Sequence, residues 1–548
     1  MALPAALLLL FLFSTIYYFS RIPWNYRLAT KTGLPCYFSP VDPTSLPWLV
    51  IVTLSGYNTI GRLLPAFIFD RVKLTIPGWE FDCKYSMHAR LGSIFILVTP
   101  GENHVYVADS EIGSAILTRR KDFGKPEVNT KILGMFGPSL VSVDHDEWKR
   151  HRRIIAPTLN ERIMAAVWDE SAEQAKDMIQ LYTSSPSKTT HQTFSGLKTI
   201  TINVIGSICF GTTRSFIEGA AEKIPAGFKT TLLQSSSRVV DNVFLAGAAP
   251  AKLLSGMFMP KSINEIGAAK VEFPLHIKEK IKEERQSPSS RSTLIASLVK
   301  LAEQDTTSAG KRLETSTYLT EEEIIGNLIA FTVAGYDTTA NTLVYAILAL
   351  VIYPKWQEWV IAGIDEVGKV NPKADYWETF PLLTRCLALM FETLRLYPPV
   401  PNISRICLTP QTIRGIEFPA GFHFKVSGSS VQTSPQYWGT DALDFRPARW
   451  LADEPLVGGQ LFEPARGTFL PWSGGPRVCP GIKMSQVEFT AVIRAIFSKW
   501  TVEVVPLEGE SPESARERVA AIVADSSQKL TLQVNHPEDI KLKWVLRS

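Results

Sequence analysis

Apolar and polar positions alternate in three regimes along the chain. The first, Ala2–Ser20, carries no charge and is about long enough to cross a bilayer as one helix. Arg21 and Arg27 follow it, with Tyr17, Tyr18 and Tyr26 placed like an interfacial aromatic belt. A cleaved signal peptide would need a basic n-region and a small-x-small cleavage site, and neither is clear. Residues 1–20 are therefore expected to be a retained anchor. The basic residues after it put the remainder on the cytosolic side. A second apolar stretch, Leu46–Phe69, is interrupted by Gly56, Asn58, Gly61 and Arg62. It reads as an interfacial segment or a poorer second span within a membrane-proximal linker, residues 21–74.

From residue 75 to residue 548 the pattern is that of one large domain, mainly α with minor β. "SIFILVTPGENHVYVAD" predicts two short strands around a Pro-Gly turn. Helical periodicity dominates from Asp144. Polar runs at 285–292 and 303–317 read as surface loops. The prolines around Tyr397–Pro401 end a helix, and "KLTLQV" near the end returns to strand.

One helix stands apart. "LTEEEIIGNLIAFTVAGYDTTANTLVYAILALVIYP" opens with Thr320 and Glu323 in capping-box spacing and runs to Pro354. It is apolar nearly all round, which predicts burial. Asn327, Asp337, Thr338, Thr339, Asn341 and Thr342 crowd its middle. An ionised Asp there costs several kcal/mol in lipid, so a central core helix is expected rather than a membrane span.

Composition narrows the class. The 548 residues are 45% apolar and 20% charged with a net charge of +4, and no dense Lys/Arg stripe suggests nucleic acid. The six cysteines form no CxxC pair, which argues against structural zinc, thioredoxin-like chemistry and a disulfide framework. "NIS" at Asn402 is a glycosylation sequon without consequence in a cytosolic domain.

The remaining question is "PWSGGPRVCPG", Pro471–Gly481, where a lone Cys479 sits in a glycine-rich turn. Pro480 and the amphipathic run after it place Cys479 close to a helix N-cap. Unpaired N–H groups and the helix dipole there would lower the thiol pKa. Gly474, Gly475 and Gly481 would let backbone approach something flat. Arg477 offers a fork to a carboxylate or phosphate. A thiolate, a flat object and acidic substituents together describe haem on an axial cysteine.

At this point the sequence resembles the cytochrome P-450 superfamily. The loop signature is carried by Trp472, Gly475, Arg477, Cys479 and Gly481, with Trp472 where the family usually has Phe. Three more motifs follow in the family's order. "ETLR" puts Glu392 and Arg395 in i,i+3 spacing on a strongly apolar helix, and "FRPARW" supplies Arg449. The resemblance implies a structural triad, since a buried pair survives only with further hydrogen-bonding partners. "AGYDTT" places Asp337 and Thr338 in the central helix, matching the family's acid–alcohol pair on the distal face of the haem. "WKRHRR" sets Trp148 and Arg152 on one helical face, where the resemblance implies contact with the haem propionates, while Lys149, Arg150 and Arg153 read as a solvated basic face. Arg405 matches a further propionate-binding arginine.

The resemblance implies a single cytochrome P-450 fold with a long distal helix and a cysteine-ligand loop behind an N-terminal membrane helix. It also implies haem b (iron protoporphyrin IX) with a Cys479 thiolate axial ligand, and monooxygenation of a lipophilic small molecule. Phe331, Val333, the segment 400–403 and the loop 131–143 are candidate pocket residues. No GxGxxG strand–turn–helix unit is evident, so electrons are expected from NADPH through a separate flavoprotein reductase, with Lys483 a docking candidate. The style resembles fungal enzymes of secondary metabolism, held to the endoplasmic reticulum membrane by a single pass. The alternatives are a haem-thiolate isomerase or dehydratase that needs no external electrons, and a haem-binding protein without turnover.

Overall fold

The computed structural model describes residues 15–55, 57–220, 223–256, 259–287, 293–305, 318–373 and 375–547. Most of the expected anchor, and the cores of the two expected polar loops, lie outside the described residues. The chain forms two compact units whose segments interleave. One collects the residues up to Asn129 with Val400–Leu443 and Pro464–Val478; the other holds Thr130–Pro399, Asp444–Glu463 and the rest from Cys479.

The first unit is built on a six-stranded mixed sheet. Its centre is the hairpin Ile94–Val98 and Asn103–Val107, every residue of which is buried. The continuous apolar run Ile94–Val98 is what a strand covered on both faces requires, and its partner strand buries the polar Asn103 and His104 beside it. His423–Val426 joins Asn103–Val107 in parallel, and Ile403–Cys407 pairs with His423–Val426. The segment expected as a linker is part of this unit. Cys36–Phe38 pairs in parallel with the sheet at Ile96–Val98. Asp42 is buried and accepts from the Thr99 hydroxyl at 2.6 Å, with the His104 ring at 3.1 Å. The Leu46–Phe69 stretch forms helices Leu46–Ser55, Tyr57–Leu63 and Ala66–Val72. Each is shorter than the roughly 20 residues of a single spanning helix, and they leave Ile51, Leu63 and Phe67 exposed.

The second unit is helical around Glu321–Ile352. Glu323 N–H donates to Thr320 Oγ1 at 3.3 Å and Thr320 N–H to Glu323 Oε2 at 2.8 Å, which closes the capping box. Three glutamates in the first turn favour the positive end of the helix dipole. The helix stops before Pro354. Its apolar length is 83% buried within the protein, as a core helix requires. Helices Thr193–Phe210, Lys261–Gln286 and Thr384–Leu396 pack against it. At the C-terminus Ser526–Gln528 and Leu532–Val534 form a two-stranded hairpin.

Candidate active site

The second unit carries Cys479. The helix that follows it begins at Ile482 with Gly481 as N-cap, so Cys479 lies two residues outside the cap and Pro480 is not its first residue. This corrects the expected position: Pro480 completes a turn instead of opening the helix. The half-buried thiol accepts one main-chain bond, from Gly481 N–H at 3.4 Å. The lowered thiol pKa expected from the dipole is reversed. Burial raises it, and the Gly481 N–H and the charge of Arg152 offset only part of that. Trp148 and Arg152 share the helix His145–Ile155, Trp148 buried and Arg152 half-buried.

Arg150 is not part of a solvated face. It is buried, and its guanidinium grips Glu323 through two nitrogens, one at 3.0 Å. The His151 ring lies 3.3 Å from Glu323 Oε1 and 3.0 Å from the Asn327 amide. Asn327 in turn accepts from Leu140 N–H at 2.8 Å. This network holds the start of the central helix against "WKRHRR" and against the loop 131–143. That loop lines an open groove of about 980 Å³ through Met135, Phe136 and Pro138, with Ile325 and Pro274 opposite.

The structure brings Glu392, Arg395 and Arg449 together, the first two fully buried and Arg449 half-buried. Arg395 binds the carboxylate bidentately, with Nε and Nη2 each donating at 2.8 Å. Arg449 Nε reaches Oε1 at 3.0 Å. The indole of Trp450 donates at 2.9 Å and Arg446 N–H at 2.8 Å. Both carboxylate oxygens are thus filled, the condition for a buried ion cluster to be stable.

Asp337 and Thr338 are neighbours in sequence that look in different directions. Asp337 is fully buried and accepts from the Thr531 hydroxyl at 2.5 Å, Asn341 at 3.2 Å and Gln533 at 3.3 Å. Thr338 is half-buried and its hydroxyl bonds back to Ala334 O at 2.8 Å, the usual resting place of a helical threonine. The two groups are not bonded to each other. Burial raises the Asp337 pKa, with Lys198 and Thr531 pulling it down and Asp241 pushing it up by less.

The first unit carries the rest of the loop. Gly475 has φ +65, and a Cβ there would meet the Leu117 carbonyl oxygen at 2.5 Å. The glycine is thus required by this chain's own helix Ser110–Thr118. A Cβ on Gly481, by contrast, would make only ordinary contact with Cys479 Sγ at 3.8 Å. The expected close approach to a flat group therefore has a nearer cause at Gly475 and no steric demand at Gly481. Trp472 is half-buried, edge-on to Phe469 with ring centres 6.1 Å apart. Arg405 is buried on the strand Ile403–Cys407 and donates to Ser404 O at 2.8 Å. Burial lowers its pKa to about 10 and, with Arg120 nearby, that of Arg477 to about 10. Lys125 is pushed down to about 6 by burial, Arg477 and Arg405. Its place in this cation cluster has no motif or spacing that would have shown it in the sequence.

Residues 81–531 match the cytochrome P450 family. The chain belongs to that family. The P450 is 30% identical, over 89% of its length and 90% of the relative's, to a phomenoic acid biosynthesis cluster cytochrome P450 monooxygenase of Leptosphaeria maculans. It is 26% identical to cytochrome P450 monooxygenase ORF6 of Penicillium roqueforti, over 90% of each chain. Among solved structures, the cytochrome P450DA heme domain superposes with a TM-score of 0.69 over 94% of this chain and 98% of that one, at 18% identity. The protein is a cytochrome P450 monooxygenase with a mainly helical P450 fold and minor sheets.

Taken each by itself, the two units hold residues whose chemistry suits the haem-thiolate group that the family carries. The second has the Cys479 thiol with a main-chain donor and the Arg152 guanidinium near it. The first has Lys125 beside Arg405 and Arg477, whose charges lower the lysine's pKa. Such a group of like charges gains most from a dianionic partner.

Proposed function

We propose that this P450 oxidises a lipophilic small molecule with dioxygen, as a tailoring step in fungal-type secondary metabolism. Cys479 would hold haem b through its thiolate sulfur. What carries the reading is the isolated, main-chain-bonded thiol of Cys479 in a chain of this family. Bound haem supplies reductive activation of dioxygen and insertion of one oxygen atom into substrate. To hold such a group Cys479 would have to give up the thiol proton that burial otherwise retains, with the Gly481 N–H and the charge of Arg152 favouring the thiolate. Arg477, Arg405, Trp148 and Arg152 hold the propionates, and Trp472 and Gly475 shape the loop before the cysteine. Thr338 presents a hydroxyl half-exposed on the central helix, and Asp337 is the buried acid that holds a proton for delivery. Glu392, Arg395 and Arg449 lock the core and touch no substrate.

The P450 family generally draws electrons from a reductase, and a membrane-bound NADPH-dependent flavoprotein is the partner proposed here. Lys483 is exposed on the helix after Cys479, its ammonium 4.8 Å from the centre of the Phe380 ring, and is a docking candidate. Residues 1–20 anchor the chain in the endoplasmic reticulum with the catalytic part, 75–548, in the cytosol, and the exposed apolar side chains of 46–69 rest on the same membrane.

Cys479→Ala is expected to abolish the red-shifted absorption band of the reduced carbon monoxide complex. Survival of that band would sink the ligand assignment. Comparing extracts of cells with and without the protein identifies the substrate class; accumulation of a polar, charged precursor would contradict the lipophilic reading.

A further inference from the structure

Asp337 is fully buried, yet the three side chains that donate to it are all neutral. Two of the three, Thr531 and Gln533, come from the C-terminal hairpin and not from the central helix. Thr531 sits in the turn just before Leu532–Val534. Its hydroxyl also accepts from Asn341 Nδ2 at 2.9 Å. With that acceptor site used, the hydroxyl proton is directed at Asp337 Oδ2. The hairpin is tied down at two further points: Leu532 N–H donates to Pro399 O at 2.9 Å, and Tyr345 Oη to Ser526 Oγ at 2.8 Å.

We propose that Thr531 is the positioning residue for Asp337, so that the hairpin Ser526–Val534 sets which oxygen of the buried acid is free to exchange a proton. Oδ1 accepts from both Asn341 and Gln533, at 3.2 and 3.3 Å, so its two lone pairs are used. Oδ2 accepts one bond, from Thr531, and keeps a lone pair to take up or release a proton. The charged groups that face the acid are Lys198 on the helix Thr193–Phe210 and Asp241 on the helix Leu232–Asp241, themselves 4.0 Å apart. Losing the Thr531 hydroxyl frees Oδ2 to turn away from the hairpin and removes one donor to the ionised form. This inference rests on the reading of Asp337 as a proton-holding acid.

The test uses the full haem-loaded chain, reconstituted with NADPH and a microsomal flavoprotein reductase without added substrate. Hydrogen peroxide and water formed per NADPH are measured across pH, and amide hydrogen exchange is followed over residues 526–534. Thr531→Val should shift the peroxide-to-water ratio at least twofold and move its pH midpoint upward. Thr531→Ser should return both to the starting values. Thr531→Val and Asp337→Asn should each speed exchange in the hairpin by roughly the same factor, and the double variant should add nothing, as a single shared contact requires. If Asp337→Asn shifts the ratio but Thr531→Val does not, the acid acts without the hairpin and the inference is overturned. Independent, additive effects on exchange would overturn it equally. If Asp337→Asn leaves the ratio unchanged while the exchange effects are shared, the contact stands and the proton-holding role of the acid is what fails.

Discussion

Glu392 and Asp337 are both fully buried carboxylates on helices of the same unit, and they are held in opposite ways. Glu392 is wrapped by two guanidiniums, an indole and a main-chain N–H, so its charge is matched where it stands. Asp337 receives three neutral donors, and its pKa is raised by burial. A carboxylate matched by fixed cations is a rivet, because removing its charge strands its partners. A carboxylate held only by neutral groups can gain or lose a proton at small structural cost. Two acids of one unit, equally deep, thus differ in the charge of their partners: cationic at Glu392, neutral at Asp337.

The largest expected effect comes from breaking the first of these. Glu392→Gln leaves the buried Arg395 and the half-buried Arg449 without a counter-charge, which costs about 3–5 kcal/mol. Denaturant titration is expected to show that loss, together with failure to retain haem; a change under about 1 kcal/mol would contradict the rivet.

A second test turns to the cation cluster of the other unit. Lys125 has its pKa lowered to about 6, against about 10.4 for a free lysine. Between those values the unfolded chain binds more protons than the folded one, so stability of the haem-free protein rises with pH from about 6 to about 10. Lys125→Met should flatten that rise, seen as roughly 2–4 °C less gain in melting midpoint across the window. Haem, by bringing carboxylates, should flatten it in the unchanged protein as well. A slope untouched by either would remove Lys125 from the cluster.

The smallest effect sharpens the contrast directly. Asp337 has a folded pKa above its unfolded one, so the folded state binds more protons in the interval between them. Its contribution is present below the unfolded value and is lost as pH rises through the folded value. Asp337→Asn should change stability by less than about 1 kcal/mol at neutral pH and remove that acid-side decline. A loss as large as that of Glu392→Gln would make both acids structural.

Local pattern carried much of the fold into the sequence. The hairpin at Ile94–Val107 and the central helix with its Thr320 cap were legible because a short β-branched and aromatic run around a Pro-Gly turn, a capping box and a terminal proline act over a few residues. The family motifs made the composition of the candidate site legible for the same reason. What stayed hidden depends on partners far away in the chain. Arg150 and Glu323 meet across 173 positions, and Thr531 and Asp337 across 194. No periodicity records such a pairing, so Arg150 read as solvated and Thr531 drew no notice. At Cys479 a local rule misled: the preference of proline for a first helical position gave way to a turn that delays the helix to Ile482.

The interleaving of the two units has a consequence for how the protein is made. The strand Asn103–Val107 is flanked on one side by its hairpin partner, but its other neighbour begins with the pairing of His104 to His423. At a translation rate of about 5–20 residues per second, that edge waits roughly 15–60 s for its partner to leave the ribosome. For that time a strand edge that is wholly buried in the finished fold is open to any other nascent chain, which makes the speed of synthesis and the supply of chaperones as decisive for its yield as its final stability.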